Sequence, residues 1–137
     1  MQTIQRLALS FTVWNLVLIG ILLLWHKKVL LYCCWYNSIW IAFVVCICFV
    51  RFSRKTISNY YSSLFPFLQG RYDLIVLLDF LIHYAPFFFL TVLVTIHCKE
   101  SITVKTQGLF LTVLILSLYS AITYSKLPVI YFPFSSK

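Results

Sequence analysis

Residues 29–50, VLLYCCWYNSIWIAFVVCICFV, are 22 consecutive residues without a formal charge. About 20 apolar residues in a helix cross the hydrocarbon core of a bilayer, so this stretch is long enough to span. A core helix of a water-soluble domain needs a polar face for its solvent side. Here only Asn37 and Ser38 break a run of aliphatic and aromatic side chains and cysteines.

The same pattern recurs on both sides. Residues 7–25 are 19 uncharged residues interrupted by Ser10, Thr12, Asn15 and Gly20, and are expected to form a first span. The sequence Trp25-His26-Lys27-Lys28 follows, not the small residues of a signal-peptide cleavage site, so this segment is read as retained. Only His26, Lys27 and Lys28 separate it from residues 29–50, which predicts a tight antiparallel helical hairpin. Residues 74–96 and 106–125 supply two further spans, joined by a short turn holding Lys99 and Glu100.

Residues 51–71 differ. Arg51, Arg54, Lys55 and Arg71 lie here with no acid among them, and Ile57, Tyr60, Tyr61, Leu64, Phe65 and Leu68 recur at helical spacing opposite Ser58, Asn59, Ser62 and Ser63. That periodicity predicts an amphipathic helix in the interface, ended or kinked by Pro66 and turned toward the next span at Gly70. The tail, residues 127–137, carries Pro128 and Pro133 among Tyr131, Phe132 and Phe134, and is expected to be an extended interfacial segment. The expected fold class is therefore an all-α membrane protein, a single membrane domain over residues 1–137. It has four transmembrane helices in two hairpins, with an interfacial amphipathic helix between spans 2 and 3.

Composition agrees. Of 137 residues, 62% are hydrophobic and 10% charged, against about 45–50% and about 25% for an average soluble domain. The 11 Lys plus Arg against 3 Asp plus Glu give a net charge of +8. These charges lie between the apolar blocks, where orientation signals and anionic headgroup contacts belong, and no basic domain is present to bind nucleic acid. Four spans put Arg6, Arg51, Arg54, Lys55, Arg71, Lys126 and Lys137 on one side and Lys27, Lys28, Lys99 and Lys105 on the other. The positive-inside tendency then assigns both termini to the cytoplasmic or equivalent side.

Asp79 and His83 are the ionisable groups inside the third span. Four residues apart, they project from one helix face, and Asp at a helix centre is costly enough that it should be paired or face other helices. The pair is read first as an inter-helix polar clamp, with Asn15 and Asn37 as possible partners, and alternatively as a proton-linked relay. A second cluster follows from topology. His26 and His97 end parallel spans at one interface, near Cys33, Cys34 and Cys98, which makes the two histidines candidate ligands for a metal or haem. Cys98 is also a candidate disulfide partner of Cys33 or Cys34 in an oxidising compartment. The simpler expectation is that the cysteines, Cys46 and Cys48 included, are small buried hydrophobes. Small-residue packing is expected along Ser117, Ser120 and Ala121.

No P-loop, H-E-x-x-H, G-x-S-x-G or channel-filter signature occurs. The expected function is non-catalytic: a small structural or accessory subunit that packs against other membrane proteins and binds anionic lipid through its basic segment. A proton-linked transporter or channel component is the alternative, and a haem- or metal-binding redox subunit the third reading.

Overall fold

The computed structural model describes residues 3–96, 99–132 and 134, and these contain helices and turns but no strand. In chain order the helices are α1 (Thr3–Ala8), α2 (Phe11–Trp25), α3 (Lys28–Arg51), α4 (Arg54–Leu64), α5 (Tyr72–Ile96) and α6 (Ile102–Ile130). Three of them, α3, α5 and α6, are long and apolar enough to cross a membrane. α3 is the central element and packs against α2, α5 and α6.

The first apolar block departs from expectation. It is broken at Leu9 and Ser10, and α2 begins only at Phe11. Its 15 residues extend about 22 Å at 1.5 Å per residue, short of a hydrocarbon core about 30 Å thick. Neither glycine nor proline stands at the break; the freed backbone groups are instead taken up by side chains, some local and some from far along the chain. The Tyr119 hydroxyl donates to the Leu9 carbonyl at 2.6 Å, Phe11 N–H donates to the Tyr131 hydroxyl at 3.1 Å, and Trp14 Nε1 donates to the Ala8 carbonyl at 2.9 Å. Ser10 Oγ caps the new helix by accepting from Val13 N–H. Backbone groups that a continuous helix would have satisfied internally, the Ala8 and Leu9 carbonyls and the Phe11 and Val13 N–H groups among them, thus find other partners.

Lys28 and Glu100 form an ion pair that joins the start of α3 to the turn before α6. His26 ends α2 in the left-handed conformation, φ 53°, with its N–H on the Leu22 carbonyl. The interface of α3 with α6 is close because of Gly108: a Cβ there would lie 2.6 Å from Tyr32 Cβ. One turn on, Thr112 Oγ1 donates to the Cys33 carbonyl at 3.2 Å. Gly108 and Thr112 form the small-xxx-small contact, whereas Ser117, Ser120 and Ala121, expected in that role, are exposed.

α4 is amphipathic as expected, but its apolar face is turned inward. Ile57, Tyr61 and Leu64 are buried, the first two packing with Leu68 and Ile75, while Arg51, Arg54, Lys55 and Arg71 stay exposed. A 3-10 turn at Pro66–Leu68 and Gly70, at φ 73°, lead into α5, where a side chain would be strained. The beginning of the tail corrects another expectation. Residues 127–130 are helical and extend α6 after a 3-10 turn at Tyr124–Lys126, and Pro128 stands in the first turn of this last α-helical piece, where its missing N–H is tolerated. Beyond it Phe134 packs on Phe52 and Tyr60, with ring centroids 4.8 and 4.7 Å apart.

The exterior is apolar. Phe43, Leu81 and Phe110 are 59%, 54% and 73% exposed well inside long helices, an arrangement that water does not support and hydrocarbon does.

Candidate functional site

The polar chemistry of the interior is concentrated where α2, α4 and α5 meet. α5 is α-helical at Tyr72–Asp79, π-helical at Phe80–Tyr84 and α-helical again at Ala85–Ile96. Pro86 lacks an N–H and its ring would press on the preceding turn. The wider π turn upstream accommodates it, with Ala85 N–H reaching back to the Phe80 carbonyl, and π turns of this kind recur at functional sites. His83 sits on this turn.

His83 Nδ1 is 2.8 Å from Asp79 Oδ1, and His83 Nε2 is 3.1 Å from Thr12 Oγ1 on α2. The Tyr61 hydroxyl, from α4, donates to the same Asp79 oxygen. Asp79 is only 3% exposed, so two partners on one carboxylate oxygen offset much of the burial of that group. Burial and the negative charge of Asp79 both push the Tyr61 phenol well above its ordinary range, which keeps it a donor. The chain Thr12, His83, Asp79, Tyr61 links three helices through side chains alone.

Beside it lies a partly open cavity of about 900 Å³. Its wall is mostly aliphatic and aromatic, including Leu16, Val44, Val45, Phe49, Ile82 and Leu116, and its polar groups are Asp79, His83, Thr12, Ser10, Ser120, Cys48 and the tyrosines 60, 61, 119 and 131. Tyr119 and Tyr131 hydroxyls are 2.7 Å apart at its α6 side. Among the described residues, no lysine or arginine lines it.

The chain matches no protein-family model, no curated protein and no solved structure.

The expected residues are only partly gathered here. Asp79 and His83 are bonded to each other. Asn15 and Asn37, expected as their partners, bond elsewhere: Asn15 Nδ2 donates to Ser38 Oγ at 3.0 Å, and Asn37 Nδ2 lies 3.8 Å from Cys33 Sγ. Both asparagines are buried, and their Oδ1 atoms have no hydrogen-bond partner among the described residues. The interfacial cations Arg51, Arg54, Lys55 and Arg71 lie at the α4 end, with Arg54 stacked 4.2 Å from the Tyr72 ring centroid. Of the candidate metal ligands, His26 is exposed in the α2–α3 turn. His97 lies outside the described residues, as does Cys98. Cys33 and Cys34 are buried in α3, Cys48 is half-buried at the cavity and Cys46 is exposed.

Thr12 and Tyr61 were not anticipated as partners of the pair. Tyr61 carried a signal, since it falls on the apolar face of the amphipathic helix and its hydroxyl needs a partner when buried. Arg6 is a further unanticipated residue. It is 8% exposed and donates to the carbonyls of Ile130 and Phe132 and to Ser63 Oγ, while lying 5.7 Å from the Tyr60 ring centroid.

Proposed function

We propose that the chain is a small multi-pass integral membrane protein with a non-catalytic, structural or accessory role in a larger membrane assembly. The observation that carries this reading is the division of its surfaces. The buried acid and histidine are bonded to each other and to neighbouring hydroxyls, whereas apolar faces of the long helices remain uncovered by the chain itself. Such faces are available to lipid and to partner helices alike.

Within this proposal the polypeptide crosses four times as two hairpins, the first crossing made by α2 together with the preceding segment at Leu7–Ser10 because α2 alone is too short, and both termini lie on the cytoplasmic or equivalent side. Two contacts support that arrangement. The Lys28–Glu100 ion pair brings the α2–α3 and α5–α6 turns to one end, and Arg6 brings α1, α4 and the end of α6 together at the other. The latter end carries the exposed Arg51, Arg54, Lys55 and Arg71, whose charge suits anionic headgroups. Crosslinking in native membranes tests the accessory role: stable heteromeric adducts are expected, and recovery of the chain solely as a free monomer refutes it. Vesicle binding tests the lipid role. Replacing these four cations by Gln should weaken attraction to anionic vesicles in a salt-sensitive way, and equal affinity of the unmodified chain for neutral vesicles refutes it.

A second reading is favoured by one observation, the cavity adjoining Asp79 and His83. In that reading the pair exchanges protons during transport. Proton-driven flux into liposomes should then fall in Asp79→Asn and His83→Ala; equal flux in both variants and in the unmodified protein rejects it.

A further inference from the structure

The cavity of about 900 Å³ lies among helices whose exteriors face hydrocarbon in the reading above. Ligand pockets of about 300–1,000 Å³ take one small molecule, apolar over most of its surface and oriented by a few polar groups. Water is a poor occupant because an apolar cavity stays dry unless each water finds two to four polar partners. Leu16 and Val44 belong both to its wall and to the exposed surface, so the neighbouring medium is lipid.

The polar groups restrict which lipid. An anionic head would lie near Asp79 with no lysine or arginine among the described residues of the wall to receive it, and Arg6 donates instead to the carbonyls of Ile130 and Phe132. A cationic head would lose its hydration against a mostly aliphatic and aromatic wall, facing an Asp79 whose Oδ1 is already shared by His83 and the Tyr61 hydroxyl. With the Tyr119 proton on the Leu9 carbonyl and the Tyr131 hydroxyl accepting from Phe11 N–H, the Tyr119–Tyr131 pair can still accept from a donor, and a neutral hydroxyl supplies one without a charge to desolvate. We propose that the cavity is a binding site for a neutral lipid with a hydroxyl head, the chemistry of a long-chain alcohol, a monoacylglycerol or a sterol. Its apolar body lies along α3 and α5, and its hydroxyl donates to the Tyr119–Tyr131 pair.

The site is independent of the accessory role, and its test does not require a partner protein. The full chain, purified in mild detergent and placed in neutral vesicles, is photolabelled with a diazirine-bearing hexadecanol in competition with unlabelled hexadecanol. Hexadecanoic acid and hexadecylamine carrying the same diazirine are compared. Saturable labelling by the alcohol, mapped to α2, α3 or α5 and stronger than with either charged probe, is expected. Val45→Trp and Ile82→Trp fill the cavity from opposite helices and should lower it about tenfold, and Tyr131→Phe about three- to tenfold, the loss of one hydrogen bond. Circular dichroism identifies folded variants, and either filled variant suffices. Unsaturable labelling, equal or stronger labelling by a charged probe, or undiminished labelling in a folded filled variant overturns the site. If both filled variants fail to fold, equal labelling of unmodified protein and Tyr131→Phe overturns it.

Discussion

Arg6 Nη2 donates to the carbonyl of Phe132 at 2.9 Å, joining residues 126 positions apart at the two ends of the described chain. The same side chain reaches the Ile130 carbonyl at 3.3 Å and Ser63 Oγ at 2.9 Å. No carboxylate is among these contacts. The cation is met instead by carbonyl oxygens at the C-terminal end of α6, where a helix carries partial negative charge and unpaired acceptors.

A planar guanidinium presents several donors in fixed directions, whereas an ammonium is a point charge. Arg6→Met and Arg6→Lys are therefore both expected to destabilise the protein, Arg6→Met by about 2 kcal/mol and Arg6→Lys by less. Hydrogen exchange of residues 127–132 measured in detergent micelles should accelerate in both. Unchanged exchange in Arg6→Met means that the contact does not hold the two ends together.

Gly108 sets the separation of α3 and α6. A Cβ at this position meets Tyr32 Cβ at 2.6 Å, Cys33 N at 3.2 Å and the Val29 carbonyl at 3.2 Å, so Gly108→Leu must part the helices, at about 1–3 kcal/mol. At Gly20 nothing lies within 4 Å, and Gly20→Ala should be neutral or stabilising by up to about 1 kcal/mol. Thermal unfolding of the two variants checks the contrast; equal midpoints contradict the close packing.

Tyr61 provides a pH dependence of defined sign. In an unfolded chain a tyrosine ionises near pH 10, whereas burial and Asp79 hold the folded phenol protonated well above that. Above about pH 10 the folded state therefore retains a proton that the unfolded state releases. The associated stability is complete below that pH and declines as pH rises beyond it. Tyr61→Phe should be less stable at neutral pH by about 1–2 kcal/mol, the cost of taking one donor from a buried carboxylate, and its alkaline decline should be shallower. Denaturation followed from pH 8 to 11 reads both, and parallel curves for the two proteins contradict the buried Tyr61–Asp79 contact.

The proposed topology predicts sidedness. In sealed vesicles of one orientation, reporter cysteines at Ser58 and Thr3 should react with an impermeant reagent from the same side, and one at Lys27 from the opposite side. Ser58 and Lys27 reacting from one side would remove the two-hairpin arrangement.

The long apolar helices were legible because about 20 residues with at most one formal charge in apolar surroundings have few physical explanations. The Asp79–His83 pair was legible because its spacing is local: two residues four apart on a helix meet wherever that helix is placed. Thr12 and Tyr61 were not, since their approach depends on how α2 and α4 lean on α5. The break at Ser10 was hidden for a related reason. No proline or glycine marks it, and its freed backbone groups are satisfied by Tyr119 and Tyr131, more than a hundred residues away. The Gly108–Thr112 contact was available as a small-xxx-small step, but Ser117 and Ala121 offered the same spacing, and spacing alone does not say which face meets a neighbour. The inward face of α4 follows from tertiary packing, since an amphipathic helix of this periodicity fits a protein surface as well as a lipid one.

The most direct test of the account concerns the medium around the helices. Membranes containing the chain are washed with alkaline carbonate, which opens vesicles and strips proteins held by charge or by surface contacts. Alkali that weakens the Tyr61 contact leaves the exteriors of α3, α5 and α6 apolar, so the chain is predicted to remain wholly in the membrane pellet. Its release into the supernatant would contradict the claim that these helices lie in hydrocarbon.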